Sequence, residues 1–140
     1  MATAAMSKIL APVDLSSCSR AAFEYACKLA LAFAAPVEVL LVRSSAEGPE
    51  PSAGELAAAR AELHRFVASF PATAAARITE RVETGDARER IVGIAEGEGF
   101  DVIVLGTHGR TGRPRSLAGS VAESVVRTSS CPVITVREPR

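Results

Sequence analysis

The chain has 140 residues, of which 48% are hydrophobic and 23% charged, and its 16 basic and 16 acidic side chains cancel at neutral pH. This length fits one compact domain around a single core. A formal net charge of zero argues against a chain-wide basic field for nucleic acid or an anionic membrane, and no stretch approaches the roughly 18 continuous apolar residues of a membrane span. Since the N-terminal residues also lack a signal-peptide pattern, we expect a cytoplasmic protein without nucleic-acid or membrane partners.

Three cysteines, Cys18, Cys27 and Cys131, are spaced like neither a zinc ribbon nor a CxxC redox pair. The odd number predicts free thiols, mostly buried. Cys18 lies near a predicted helix start, and we interpret it as a small packing residue rather than a redox centre.

The start of the chain reads as a strand followed by a helix. Residues 8–13, KILAPV, form a short apolar run interrupted by Pro12, and the N-cap cluster Asp14-Leu15-Ser16 follows. A helix is predicted over 16–34, since charged residues recur every four positions on one face and apolar residues occupy another at helical spacing. The charged face has Arg20, Glu24 and Lys28, and the inner face has Ala22, Tyr25, Ala26, Leu29 and Phe33.

The middle of the chain repeats this alternation. Residues 37–42 are a nearly continuous run of valine and leucine, as expected of a parallel strand covered on both faces. A loop rich in glycine, proline and serine spans 44–54, and a second helix with apolar positions from Leu56 to Phe70 follows. His64 falls on the polar side of that helix and is interpreted as solvated surface. The charged, imperfectly alternating residues 77–83 predict a third strand at a sheet edge.

The last part of the chain adds two helices and two strands. A third helix is predicted to end at glycines 97 and 99, and an apolar strand over 102–105 follows it. A loop containing several glycines and arginines leads to a fourth helix that opens at Gly119-Ser120, and residues 133–136, VITV, form the last strand. The inner faces of the two helices have Ala87, Ile91, Ile94 and Ala95, and Val121, Ala122, Val125 and Val126, respectively.

Five strands that alternate with four helices predict an α/β protein, with a single domain over residues 1–140 and a doubly wound parallel sheet. The expected strand order is 3-2-1-4-5. In such sheets ligands bind beyond the carboxyl ends of the strands where the order reverses, here between strands 1 and 4. Asp14, Arg43 and Gly106 follow strands 1, 2 and 4, so we expect these distant stretches to converge on one cleft.

The loop after strand 4 has a defined glycine pattern: Gly106, two residues, Gly109, nine residues, then Gly119 and Ser120. Glycines let backbone amides approach an anion, and a serine at a helix N-terminus adds a hydroxyl where the helix dipole favours negative charge. The spacing fits neither GxxxxGK[ST] nor GxGxxG. Taken alone, the pattern is compatible both with a phosphate cradle and with a set of turn glycines.

Three segments, KILAPVDLS at 8–16, GTHGRTG at 106–112 and CPVITVR at 131–137, carry a resemblance that covers essentially the whole chain. Together with the glycine spacing, they are similar to the ATP-binding branch of the universal stress protein family. The resemblance implies a Rossmann-like, adenine nucleotide alpha hydrolase-like fold that binds ATP, with or without Mg²⁺. It also implies a small homodimeric protein of stress response and regulation rather than an enzyme.

The resemblance assigns the ligand to particular residues. It places Asp14 at the ribose and adenine end, which suits a carboxylate better than the vicinity of a triphosphate does, and Val13 beside the base. Gly119 and Ser120 would bind the phosphates. With the neighbouring residues of these segments and the nearby arginines, the full set of candidate ligand-binding residues is Pro12, Val13, Asp14, Arg43, Gly106, Thr107, His108, Gly109, Arg110, Arg113, Gly119, Ser120 and Val121.

Arg43 departs from the family pattern, which has a small apolar residue at the end of strand 2. Three roles are open to its guanidinium: contact with a phosphate, stacking on the base, or pairing with Asp14 in a way that blocks the pocket. The last would make the protein a dimeric interaction module of the same family that binds no nucleotide.

Enzyme hypotheses find less support in the sequence. A hydrolase would need a water-activating group, for which His108 and Asp14 are the candidates, and we interpret His108 as pointing into solvent. Slow ATP hydrolysis stays compatible with this interpretation. An adenylating enzyme on a related fold is a further hypothesis, but the chain has neither an SGGxDS-type loop nor an HxGH-type motif.

The last strand also predicts a partner. At a sheet edge, Val133 to Val136 would leave backbone N–H and C=O groups unpaired. Pairing with a second copy across a two-fold axis would satisfy them. We therefore expect a homodimer through this strand.

Overall fold

The chain alternates strands with helices, as predicted. The computed structural model describes residues 6–44, 48–71, 76–107 and 120–138. The elements within these ranges are β1 (Ile9–Val13), α1 (Ser17–Phe33), β2 (Val37–Arg43), α2 (Ala53–Ala68), β3 (Ile78–Thr84), α3 (Ala87–Gly97), β4 (Val102–Gly106), α4 (Ser120–Thr128) and β5 (Val133–Val136).

The five strands form one sheet in the order β3-β2-β1-β4-β5, and every neighbouring pair is parallel. The predicted order is therefore confirmed, and β3 and β5 are the two edge strands. The central strands are buried along most of their length because both faces of the sheet are covered by helices. None of the helices in the described ranges is long and apolar enough to cross a membrane.

Alternate residues of the strands supply two separate cores. On one face Ile9, Ala11 and Val13 pack with residues of α1 and α2, and on the other Leu10 packs with residues of α3 and α4. The first core contains three mutually contacting aromatic rings, those of Phe23, Phe66 and Phe70. The sheet is thus doubly wound, with one pair of helices on each face.

The outer part of the α3 face is charged rather than apolar. Arg81 on β3 donates to Glu38 at 3.2 Å, Glu83 at 2.8 Å and Glu98 at 2.9 Å, and Arg90 of α3 also donates to Glu83. An edge strand tolerates such residues because one side of it is open to water. This network explains the weak apolar alternation that marked the strand as an edge.

Three side chains predicted to point inward are exposed instead. Tyr25 and Phe33 of α1 are 40% and 51% exposed, and Val126 of α4 is 53% exposed. The sheet-facing positions of α4 are Ala122 and Val125, and Val126 lies a further ~100° around the helix. Helical spacing therefore predicted a buried face wider than the one observed, since it included these three exposed residues.

Candidate functional site

The sheet opens between β1 and β4 at the carboxyl ends of the strands. These two strands pair only at Ile9↔Val102 and Leu10↔Ile103, whereas β1 stays paired with β2 as far as Val13↔Leu41. The opening lies at the point where the strand order reverses, which is where the sequence predicted a cleft.

Pro12 explains why the pairing stops. Ile9 donates its N–H to Pro36 O on the β2 side, so the backbone groups of Leu10 and Pro12 point toward β4. Because proline has no N–H, the β1–β4 ladder lacks the donor for its next hydrogen bond. The predicted strand does run through Pro12 to Val13, and only its pairing with β4 ends there.

Asp14 follows β1 at the mouth of this opening, and its carboxylate is firmly held. The Ser19 hydroxyl donates to Asp14 Oδ1 at 2.6 Å, and the Ser16 N–H donates to the same oxygen at 3.0 Å. In return, the Asp14 N–H donates to Ser19 Oγ at 2.8 Å. The predicted ligand-binding carboxylate is thus oriented by the turn that starts α1.

That turn has a strained backbone. Leu15 lies between Asp14 and the N-cap residue Ser16 and has a φ of 68°. Left-handed geometry is uncommon for a residue with a branched side chain and costs roughly 1 kcal/mol or more. The Leu15 side chain packs against the first core, which helps to hold the turn. Strain beside a candidate ligand group is frequent at functional sites.

Gly106 ends β4 where α1 comes closest to the sheet. A Cβ at this position would lie 2.8 Å from Cys18 Sγ and 3.0 Å from both the carbonyl carbon and the carbonyl oxygen of Cys18. No side chain fits there without displacing α1. The glycine therefore has a packing reason that the motif alone did not reveal, besides its predicted place along the ligand.

The last residue of β5 connects both sides of the opening. Val136 O accepts the Thr107 N–H at 3.0 Å and the Cys18 thiol at 3.4 Å. Thr107 is only 4% exposed, and its hydroxyl lies 3.9 Å from Cys18 Sγ. The start of the glycine loop, the first turn of α1 and the end of β5 thus form one packed junction.

Arg43 has a partner outside the three roles considered from the sequence. Its guanidinium donates to Glu62 of α2 at 3.0 Å, and the two side chains are 28% and 42% exposed. A pair this exposed contributes about 0–1 kcal/mol. Arg43 is therefore held only weakly on the α2 side of the β2 terminus.

The phosphate end of the predicted site is described in part. Helix α4 begins at Ser120, and Val121 in its first turn is half-buried against the second core. The predicted residues that lie outside the described ranges are His108, Gly109, Arg110, Arg113 and Gly119, together with the side chain of Ser120. Across the described part of the chain, no group of three or more His, Cys, Asp or Glu side chains is arranged to hold a metal ion.

All three cysteines are free and buried, as predicted. Burial, reinforced by Glu24, raises the pKa of the Cys27 thiol to about 11, and burial likewise raises the pKa of Cys131. Neither thiol is therefore poised as a thiolate nucleophile.

Two residues of the site were not found from the sequence. Ser19 was overlooked because DLSSCS reads fully as a helix-capping segment, and the only signal was a serine three positions after the N-cap. Glu62 belongs to the polar side of the second helix, where nothing in the sequence distinguishes it from its neighbours. The pair it forms with Arg43 joins residues 19 positions apart on different elements, which a local pattern does not show.

These features define a class: a doubly wound α/β domain whose candidate ligand cleft opens at the switch point of the sheet. The sequence model of the universal stress protein family matches residues 6–137. The chain belongs to the universal stress protein family.

Individual relatives agree with this assignment. Universal stress protein MJ0531 of Methanocaldococcus jannaschii is 33% identical over 141 residues, covering 95% of this chain and 83% of that protein. Universal stress protein UspA from Lactobacillus plantarum is 27% identical with a TM-score of 0.83, over 96% of this chain and 100% of that one. The universal stress protein from Archaeoglobus fulgidus in complex with dAMP shares the fold at 23% identity and a TM-score of 0.71, over 96% and 99% of the chains.

Proposed function

We propose that this protein binds an adenine nucleotide, ATP, in the opening between β1 and β4 and acts as a small regulatory protein of stress response. The observation that carries the proposal is the Asp14 carboxylate, fixed by two donors at the point where β1 and β4 separate. A partly buried turn that orients one carboxylate at the switch point is suited to a ligand that offers hydroxyl groups there.

The ribose is the part of ATP that fits Asp14. A carboxylate accepts hydrogen bonds from two vicinal hydroxyls but repels a triphosphate. The base would then lie toward the ends of β1 and β2, near Val13 and Arg43. Because the ion pair with Glu62 is exposed and weak, Arg43 remains able to turn toward a phosphate or the base.

The phosphates would lie at the start of α4. Helix N-termini favour anions through unpaired N–H groups and the helix dipole, and α4 begins at Ser120. Gly106, Gly109 and Gly119 would let the backbone approach closely, and Arg110 and Arg113 would add positive charge. The Archaeoglobus fulgidus structure supports the ligand class, since a protein of this fold holds dAMP.

Binding rather than catalysis is proposed as the activity. In this arrangement Asp14 is engaged with the sugar and therefore distant from the terminal phosphate, where a hydrolase needs its base. His108 is then the remaining candidate for slow hydrolysis. The cytoplasm, where ATP is abundant, is the proposed location.

Isothermal titration calorimetry with ATP and Mg²⁺ tests the proposal, with Asp14→Ala as the site variant and Asp86→Ala as its matched control. Asp86 also follows a strand and caps a helix, but it lies after the edge strand β3, away from the opening. We expect Asp14→Ala to weaken ATP binding about tenfold or more, since hydrogen bonds to a charged group contribute about 1.5–3 kcal/mol. Asp86→Ala should lower stability and leave the affinity unchanged.

Two outcomes contradict the proposal. Wild-type protein that shows neither binding heat nor an ATP-dependent rise in melting temperature would indicate the family's alternative, an interaction module without nucleotide. Equal losses of affinity in the two aspartate variants would show that Asp14 acts through stability and not through the ligand.

We also propose a homodimer that pairs through β5. Pro132 O accepts the N–H of Ile103 in β4, and Val136 O accepts the N–H of Thr107 just after β4, so the backbone groups of Val133 and Thr135 point away from the sheet. Such an open edge invites pairing with a second copy.

A further inference from the structure

We infer that Ser19 is the positioning residue that gives the site its preference for a ribose with free hydroxyls; this inference rests on the proposed binding of ATP. Ser19 does not itself contact the nucleotide in this account. It acts by fixing the carboxylate of Asp14.

The two residues are joined reciprocally. The Ser19 hydroxyl donates to Asp14 Oδ1 at 2.6 Å and accepts the Asp14 N–H at 2.8 Å. Every side-chain hydrogen bond that the structure gives Ser19 is with Asp14, so the orientation of the hydroxyl is determined by that residue alone. The N–H and the carboxylate of Asp14 are therefore both hydrogen-bonded to Ser19 Oγ.

Burial of the Ser19 hydroxyl costs desolvation free energy, which points to a role for the pair with Asp14. Ser19 is 5% exposed and, with Thr107, is one of two buried polar or charged residues in the described ranges. A hydroxyl removed from water contributes stability only through the hydrogen bonds that it makes, and those of Ser19 are both with Asp14.

Helix capping does not account for the Ser19 hydroxyl. The N-cap of α1 is Ser16, whose hydroxyl accepts the Ser19 N–H at 3.2 Å. That bond uses the backbone of Ser19 and would survive the loss of its side chain. The Ser19 hydroxyl is directed at the carboxylate, so Ser16 and Ser19 have separable roles.

The consequence for binding is preorganisation. Because the Ser19 hydroxyl and the Ser16 N–H both donate to Oδ1, the carboxylate plane cannot rotate freely and its orientation is set before the ligand arrives. A ligand then binds without the cost of ordering that side chain. Because the carboxylate recognises hydroxyls, the benefit applies to ATP and not to an analogue that lacks them.

The test compares the dissociation constants of ATP and 2′,3′-dideoxy-ATP in wild type, Ser19→Ala and Ser16→Ala. We expect wild type to prefer ATP. Ser19→Ala should weaken ATP binding about tenfold and dideoxy-ATP binding less than twofold, which collapses the preference. Ser16→Ala removes a hydroxyl from the same turn and weakens the helix cap. The backbone N–H of residue 16 still donates to Asp14, so this variant should continue to prefer ATP over 2′,3′-dideoxy-ATP. In an Asp14→Ala background, Ser19→Ala should add nothing.

Three results would overturn the inference. If Ser19→Ala keeps the preference while wild type binds ATP, the proposed function stands and the role of Ser19 is wrong. If Ser19→Ala weakens both nucleotides equally, its role is structural. If wild type binds no ATP, the proposed function and this inference fail together. Ser19→Cys, which fills the space with a weaker hydrogen-bonding group, provides the same comparison if the alanine variant does not fold.

Discussion

A Cβ on residue 106 would lie 2.8 Å from Cys18 Sγ, so Gly106 and Cys18 set how closely α1 approaches the end of β4. We expect Gly106→Ala to lower the free energy of unfolding by about 1–3 kcal/mol, because overpacking forces the helix or strand to shift. Urea denaturation followed by far-UV circular dichroism measures this change.

A second glycine provides the control. Gly93 lies in α3 with nothing within 4 Å of its would-be Cβ, so Gly93→Ala should raise stability by about 0.5–1 kcal/mol. Adding Cys18→Ala to Gly106→Ala should restore only part of the loss, since the Cys18 backbone stays 3.0 Å away. A Gly106→Ala protein as stable as wild type would show that the close approach does not constrain the fold.

Pro12 should keep the candidate site open. Pro12→Ala supplies an N–H directed at β4 and allows one more hydrogen bond, which contributes about 0.5–1.5 kcal/mol to a closed form. The loss of proline's restraint on the unfolded chain offsets this by about 0.4–1 kcal/mol, so stability should change little. We expect ATP affinity to fall roughly 2- to 10-fold and the amide of residue 12 to be protected from hydrogen exchange.

Pro36→Ala is the matched control for that experiment. Pro36 precedes β2 at the opposite end of the sheet, where its carbonyl accepts from Ile9. Its replacement alters the unfolded chain in the same way but leaves the β1–β4 ladder unchanged. An unprotected amide at residue 12, together with wild-type affinity, would contradict the role given to Pro12.

The fold was predictable because its signals are local and repeated. Valine-rich runs such as 37–42 and helical spacings such as that of Ile91, Ile94 and Ala95 each follow from burial on a strand or helix. Charges in 77–83 correctly indicated an edge strand. From the resulting order, the opening beside Asp14 follows by topology alone.

The contacts that shape the site were not predictable in the same way. Pro12 ends one ladder without ending its strand, and that distinction depends on which neighbour its backbone faces. The approach of Gly106 to Cys18 spans 88 positions of sequence. Spacing also could not show that Val126 lies outside the core, because the width of the buried stripe depends on how α4 sits on the sheet.

The end of α1 offers a stabilising substitution. Ala34 caps this helix with φ 53° and ψ 40°, a left-handed conformation that favours glycine. We expect Ala34→Gly to raise the free energy of unfolding by about 0.5–1 kcal/mol. Ala32→Gly, two residues earlier within the same helix, should lower it by a similar amount. Thermal unfolding of both variants distinguishes the cap from a general effect of glycine, and a loss in each would refute the prediction.

The charge network of β3 should make stability depend on pH. The hydrogen bond from Arg81 holds the pKa of Glu83 below its ordinary 4.5, with Arg90 adding to the effect. A lowered carboxyl pKa contributes stability that is present above about pH 4.5 and is lost as the pH falls through the folded value. Arg81→Met should therefore cost about 1–2 kcal/mol at pH 7 and progressively less in acid.

An exposed ion pair supplies the comparison for Arg81. Arg127 pairs with Glu123 on α4 with 74% and 58% of the side chains exposed, so Arg127→Met should change stability by less than about 0.5 kcal/mol at any pH. Urea denaturation from pH 3 to pH 8 measures both variants. A constant difference between Arg81→Met and wild type across that range would exclude linkage through the network.

The open edge of β5 gives a test of the proposed dimer that leaves the protomer folded. Thr135 is exposed, and its N–H points away from β4, so Thr135→Pro removes a donor from the edge without breaking the ladder inside the sheet. We expect light scattering to show a dimer for wild type and a monomer for Thr135→Pro, with similar circular dichroism. Thr135→Val keeps the N–H and should remain dimeric. A monomeric wild type would contradict the proposed dimer. A dimeric Thr135→Pro variant would show that the interface lies on another surface, such as the exposed Phe33 end of α1.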